Sequence, residues 1–243
     1  MTFSLGSINF NTNVADGDGA LWFAEVDGWD TMSNRVTSIS LPGQHGGVTV
    51  QNLYESRELT LKGGVQADDN AGYWIAHNTL NSATNVLNPF LSTPLVLTIS
   101  EEVDKQMSVL RTSLRTKCIG VNLLEFELTL RADDPFKYAS IPKTVAPGTL
   151  ANAGTGITYP VFTLTSGASP GTSIWVGSMT WGVTGALPSG TVIDMRNQTV
   201  LDGVTSYYAN VDPASVWPYM VPGNNTVGIS GATATVTYRD AWT

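Results

Sequence analysis

From residue 124 to residue 131 the chain alternates without a break: Leu124, Phe126, Leu128 and Leu130 on one side, Glu125, Glu127, Thr129 and Arg131 on the other. Side chains of an extended backbone point to opposite faces in turn, so this segment buries one face and shows the other to water. A strand of this kind is unstable alone and needs neighbours that share its apolar side. The chain supplies them. Trp22, Ala24 and Val26 alternate with Phe23, Glu25 and Asp27, and Leu59 and Leu61 alternate with Glu58, Thr60 and Lys62. Leu95–Ile99 is apolar almost throughout and predicts a more deeply buried strand.

One segment departs from period two. Ala76, Leu80, Ala83 and Leu87 are spaced by four, three and four residues, which lines them along one helical stripe. The spacing predicts a helix over roughly 71–87, with Asp68, Asp69 and Asn70 where an N-cap belongs and Pro89 stopping continuation. The first part of the chain is therefore expected to be a sheet, sandwich or barrel with one flanking helix.

Charge then falls away. Residues 1–140 hold 16 Asp and Glu and 9 Lys and Arg; residues 141–243 hold 4 and 3. The second stretch is rich in Gly, Thr, Ser and Val, with Pro142 and Pro147-Gly148 as a linker, so two domains are expected, 1–140 and 141–243. Strands are predicted at about 157–166, 173–181, 190–195, 197–202, 205–211, 225–230 and 232–239, the pattern of a β-sandwich. Asp202-Gly203 predicts a type I′ hairpin turn, and Pro222-Gly223-Asn224-Asn225 another turn.

The composition removes several classes of function. A net charge of −8 and a pI near 4.6, with no cluster of Lys and Arg, do not suit a protein that grips nucleic acid by its phosphates. Cys118 is the only cysteine, which rules out an internal disulfide, and with two histidines a Cys/His zinc site is excluded by count. Cys118 lies in an apolar stretch and is expected to be a small buried hydrophobe. The start of the chain lacks the charged and apolar regions of a signal peptide, and no run of about 18 apolar residues occurs, so no membrane association is expected.

Catalytic motifs are missing too: there is no nucleophile elbow, phosphate loop, dinucleotide fingerprint or helical zinc motif, and no enzyme, metal or cofactor is expected. Asp16-Gly17-Asp18-Gly19 lacks the further ligands of a calcium loop and is expected to be an acidic turn. Glu101-Glu102, Asp133-Asp134 and the pair Glu125 and Glu127 sit in turns or on a solvated strand face, which weighs against a glycosidase acid and base. Trp175 and Trp217 are candidate binding aromatics of the second domain, since a flat indole stacks on sugars and anchors protein contacts.

Four stretches carry a family resemblance: Tyr54-Glu55-Ser56-Arg57-Glu58-Leu59-Thr60-Leu61-Lys62-Gly63-Gly64; Leu130-Arg131-Ala132-Asp133-Asp134-Pro135-Phe136-Lys137-Tyr138; Asn152-Ala153-Gly154-Thr155-Gly156-Ile157-Thr158-Tyr159-Pro160-Val161; and the end of the chain, from Pro222-Gly223-Asn224-Asn225-Thr226 through Ala232 to Trp242. In order and spacing they resemble the distal tail proteins of long-tailed siphovirus bacteriophages, of the kind infecting actinobacteria, over nearly the full length.

The resemblance implies a mainly β protein: a tail-tube-like sandwich or barrel with one helix, then a galectin-like β-sandwich. It implies a structural virion protein of the tail tip, assembled in the host cytoplasm, whose first domain closes a ring, a homohexamer, around the DNA channel. The implied partners are the tail tube protein, the baseplate hub and other tail-tip proteins, with DNA only passing through. On this basis Glu125, Glu127 and Arg131 are candidates for the channel wall, and the loop of Gly43, Gln44, His45 and Gly46 for a subunit or tube contact. The alternative is a carbohydrate-binding adhesin acting through the second domain.

Overall fold

A computed structural model describes residues 1–16, 19–40, 47–84 and 95–243, without the side chains of 37–40 and 47–52. The chain divides into two compact units, Met1–Lys137 and Tyr138–Thr243. Each has its own apolar core.

Unit 1 contains β1 (Phe3–Leu5), β2 (Ile8–Phe10), β3 (Ala20–Asp27), β4 (Asn34–Ser40), β5 (Gly47–Tyr54), β6 (Arg57–Ala67), α1 (Asn70–Thr84), β7 (Leu95–Ile99), β8 (Lys105–Cys118) and β9 (Leu123–Ala132). Seven of these strands form one antiparallel sheet in the order β2-β1-β7-β8-β9-β6-β3. The two ends of this order meet at Asn11. Its backbone N–H donates to the Trp22 carbonyl, its side-chain amide donates to the Ala24 carbonyl, and its side-chain oxygen accepts from the Ala24 N–H at 3.0 Å. Asn11 holds a left-handed backbone (φ 59°), which Asn tolerates better than most residues. One side chain thus mimics a strand partner and closes the sheet into a barrel.

The alternation seen in sequence maps onto this barrel. Leu124, Phe126, Leu128 and Leu130 point inward with Trp22, Ala24, Leu59 and Leu61, while Glu125, Arg131 and Glu25 are exposed. β7 differs from expectation: only Leu97 and Ile99 are buried, and Val96 is 37% exposed. Its sheet is covered on one face, so even an apolar strand must send alternate residues outward. α1 begins where the acidic residues predicted it would. The Asp69 carboxylate accepts the Gly72 N–H at 2.7 Å, making Asp69 the N-cap. Tyr73, Ala76 and Leu80 face the core; Leu87 and Pro89 lie outside the described residues. Cys118 is exposed, contrary to expectation, because it ends β8 beyond the reach of the core.

β4 and β5 pair only with each other among the described residues, forming a separate two-stranded sheet with a shift in register at Thr37 and Ser38.

Unit 2 is a sandwich. Its strands are β10 (Lys137–Ala139, starting on the last residue of unit 1), β11 (Lys143–Val145), β12 (Gly148–Asn152), β13 (Val161–Leu164), β14 (Ser173–Val176), β15 (Met179–Gly182), β16 (Val192–Asp194), β17 (Thr199–Asp202), β18 (Thr205–Ser206), β19 (Gly223–Ser230), β20 (Ala234–Tyr238) and β21 (Ala241–Trp242). One sheet runs β11-β20-β13-β16-β17-β18 and the other β12-β19-β14-β15. Phe162, Ile193, Val200 and Val236 of the first share a core with Ile174, Val176, Trp181 and Val227 of the second. The expected linker around Pro147 is instead two strands, and the expected strand 173–181 is a tight hairpin. The turn after β17 is also not the expected one. Asp202 still pairs with Thr205, leaving Gly203-Val204 as the loop, and only Gly203 has positive φ (57°). That is the type II′ pattern, with Gly in the first loop position; Gly6-Ser7 and Gly177-Ser178 make the same turn.

Candidate functional site

The strand register brings charge together on the outer face of unit 1. Glu25 of β3 lies opposite Lys62 of β6, Lys62 opposite Glu127 of β9, and Glu127 opposite Arg115 of β8. Two residues further along, Phe23, Gly64, Glu125 and Lys117 form the next row. The sequence-predicted Glu125 and Glu127 are thus set among cations. Lys62 Nζ is 3.8 Å from Glu127 Oε1, and Arg131 Nε is 2.8 Å from Asp133 Oδ1. These pairs are exposed and screened, so each contributes little to stability. Their effect is on the field: the face alternates in sign and is close to neutral. It forms an open concavity of about 820 Å³ lined by Phe23, Glu25, Lys62, Arg115, Lys117 and Glu127, among others. The basic partners on β8 were not singled out from sequence, because a bulge between Arg111 and Ser113 sets which of their neighbours faces out.

At the other end of β9 a compact polar cluster holds the unit together. Trp29, 3% exposed, donates its indole N–H to Glu101 at 2.6 Å, and its carbonyl accepts from Arg57 Nη1. The Lys137 ammonium sits over the Trp29 ring, 5.1 Å from its centre, and binds Asp30 at 2.6 Å. Tyr54 and Phe136 meet edge to face at 5.6 Å. The bond from Lys137 lowers the Asp30 pKa against the opposing cost of burial, and the charges of Lys137, Arg57 and Lys105 lower it further. Burial works against ionisation of Glu101 as well, but the bonds from Lys105 and Trp29 and the charges of Lys105 and Lys137 outweigh it and hold that carboxyl below its usual value. Desolvation lowers the Arg57 pKa, opposed by Asp30 and Asp134. The first two stretches of the resemblance, from Tyr54 and from Leu130, therefore pack on each other, with Arg57 paired to Ala132 and Glu58 to Arg131.

The other two stretches do the same in unit 2. Asn152, 1% exposed, donates to the Gly156 carbonyl at 2.8 Å and accepts from the N–H groups of Gly154 and Ala241. Asp240 accepts from the Ala153 N–H at 3.0 Å and pairs with Lys143 at 2.7 Å. A Cβ at Gly154 would stand 1.8 Å from the Ala241 carbonyl oxygen, so only glycine allows this approach.

Trp175 and Trp217 are not brought together. Trp175 alternates with the buried Ile174 and Val176, so it lies on the outer side of its sheet, its ring spread over Gly228 on the neighbouring strand. Trp217 packs on the core instead, 5.8 Å from the Trp181 ring, with Tyr208 stacked on it at 6.3 Å. Asp16 accepts the Ala20 N–H and the Trp22 indole N–H at 2.9 and 2.7 Å. Gly43, Gln44, His45 and Gly46 lie outside the described residues.

No protein-family model matches this chain, and no curated protein matches it. Solved structures do. The Dit protein (gp 19.1) of phage SPP1, described as a paradigm of the hub adsorption apparatus in phages infecting Gram-positive hosts, superposes with a TM-score of 0.72 at 17% identity, over 100% of this chain and 99% of that one. The chain has the Dit fold. A chain of the phage P2 baseplate in its activated conformation with calcium superposes less closely, at a TM-score of 0.56 and 7% identity over 98% of this chain and 97% of that one. The strontium form gives 0.53 and 8%, over 97% of each chain.

Proposed function

We propose that this chain is a structural protein of a siphovirus tail tip, a distal tail protein that closes a ring, most simply a hexamer, around the DNA channel. The observation that carries the proposal is the end-to-end likeness to SPP1 Dit, with neither unit left unmatched. In this reading unit 1 is the tail-tube-like, ring-forming part that joins the tail tube to the baseplate hub. Unit 2 is a galectin-like sandwich that offers a platform to other tail-tip proteins. The protein is assembled in the host cytoplasm and resides in the virion.

Two features of unit 1 support ring formation. The barrel is closed at Asn11, whereas β4 and β5 stand as a hairpin without a third strand among the described residues, and an isolated hairpin is marginal in water. Of its described side chains, Val36 and Leu53 are 55% and 44% exposed, and only Tyr54 at its end meets a ring of unit 1, that of Phe136. A neighbouring copy supplies the missing support. The near-neutral outer face with Glu125, Glu127 and Arg131 suits a channel wall, because alternating charge neither holds nor repels the DNA backbone over any distance.

Light scattering across a concentration series, with electron microscopy of the large species, tests the proposal. A closed ring with a central hole is expected. Replacing residues 35–53 by a short Gly linker is expected to abolish the ring while circular dichroism stays that of a folded β protein. A wild-type chain that remains a monomer both alone and with tail-tube protein overturns the proposal.

A further inference from the structure

The outer face of unit 1 has two unlike margins. On one side β7 pairs only with Lys105–Val109 of β8, while β9 pairs with the rest of β8, Leu110 to Cys118. β10 is a further partner of β8, and of the strand registers described for β8 neither places a partner beside that second half on the side away from β9. It is an open edge about nine residues long, with Arg115 and Lys117 exposed along it. Charges on an edge strand discourage indiscriminate pairing, and the sign of the charge also selects what may approach. At the opposite margin, β3 exposes Glu25 and Asp27 and carries no basic residue along its length.

Between the margins the row Glu25, Lys62, Glu127, Arg115 alternates in sign from acidic to basic. Such a row fits a copy of itself displaced sideways: the basic end of one meets the acidic end of the next, and the alternation continues across the junction. A two-fold arrangement of the same margin would set Arg115 against Arg115, or Glu25 against Glu25. The pattern therefore favours a head-to-tail contact, the kind that generates rings, over an isologous dimer.

We infer that the open β8 edge of one copy, through Arg115 and Lys117, docks against the β3 margin of a second copy, through Glu25 and Asp27. This contact rests on the ring proposal and assigns its two faces to named strands. It also makes the concave charged surface continuous from copy to copy.

Charge reversal provides the test. The pair Glu25→Lys with Asp27→Lys makes both margins basic; the pair Arg115→Glu with Lys117→Glu makes both acidic. Each double variant alone is expected to lose the ring and run as a monomer by light scattering, with an unchanged circular dichroism spectrum. Mixed in equal amounts, they are expected to reassociate into a ring of wild-type size, since every junction is again between opposite charges. Glu102→Lys with Asp104→Lys, a reversal of equal size on an exposed turn, is expected to leave the ring intact. If the wild type forms a ring and both reversed variants still form it alone, the assignment of these margins is wrong while the ring stands. Folded variants that remain monomers when mixed overturn the assignment equally. A wild type that never forms a ring removes the ring proposal itself and this contact with it.

Discussion

At Gly154 and Gly228 the backbone of unit 2 approaches other groups too closely for any side chain. Gly154 is pressed against the Ala241 carbonyl, and Gly228 lies under the Trp175 ring, 2.1 Å from where a Cβ would stand. The first contact has no flexible partner, since the obstructing atom belongs to the backbone. Gly154→Ala is expected to destabilise the protein by about 1–3 kcal/mol, the usual cost of overpacking a tight site, measured as a fall in the urea midpoint. The carboxylates of unit 1 carry a pH dependence. Asp30 and Glu101 both have folded-state pKa values below their ordinary ones. A depressed carboxyl stabilises the fold above its unfolded pKa, about 4 for such groups, and that stability is lost as pH falls through the lower folded value. Asp30 is 83% exposed and strongly screened, so Glu101, at 23%, carries more of the effect. Lys105→Met is expected to shallow the loss of stability below about pH 4, measured as urea midpoints from pH 6 down to pH 2.5.

Among the elements, the join between β2 and β3 depends on one side chain. Asn11 exchanges two hydrogen bonds with the Ala24 backbone, so Asn11→Ala leaves a donor and an acceptor unpaired in a partly buried seam. A cost of about 1–3 kcal/mol is expected, with faster amide exchange at Ala24 than at the central residues of β6 and β9. This closure was invisible in sequence: Asn11 sits in a polar stretch without periodicity, and nothing local indicates that its amide meets residue 24. The long alternating strands were legible, because burial of one face imposes period two whatever the neighbours are. The helix start was legible as well, since an N-cap acts within three residues. The hairpins at Gly177 and Gly203 were misplaced by a residue or merged into one strand, because the type II′ turn differs from type I′ only in which loop positions require positive φ.

For the whole molecule, each unit buries its own core, and in unit 2 Trp181 is fully enclosed. Residues 138–243 expressed alone are expected to unfold in one cooperative transition, followed by tryptophan fluorescence and near-ultraviolet circular dichroism. A gradual loss of signal would show that this core needs the rest of the chain. By itself the sequence determined the mainly β class, the helix α1, the polar side of β9 and the absence of a recognisable catalytic motif, because these follow from periodicity and composition. It also held the four stretches that carry the family resemblance, without showing how they meet. Only the tertiary structure showed that they pair off, Tyr54–Gly64 with Leu130–Tyr138 and Asn152–Val161 with the chain end, each pair joined by contacts between residues far apart in sequence. The charged face was decided the same way. The sequence offered Glu125, Glu127 and Arg131 as one polar strand face; register set Lys62, Arg115 and Lys117 among the two glutamates, and register is fixed by hydrogen bonding between strands and by a bulge, neither of which leaves a mark in local sequence.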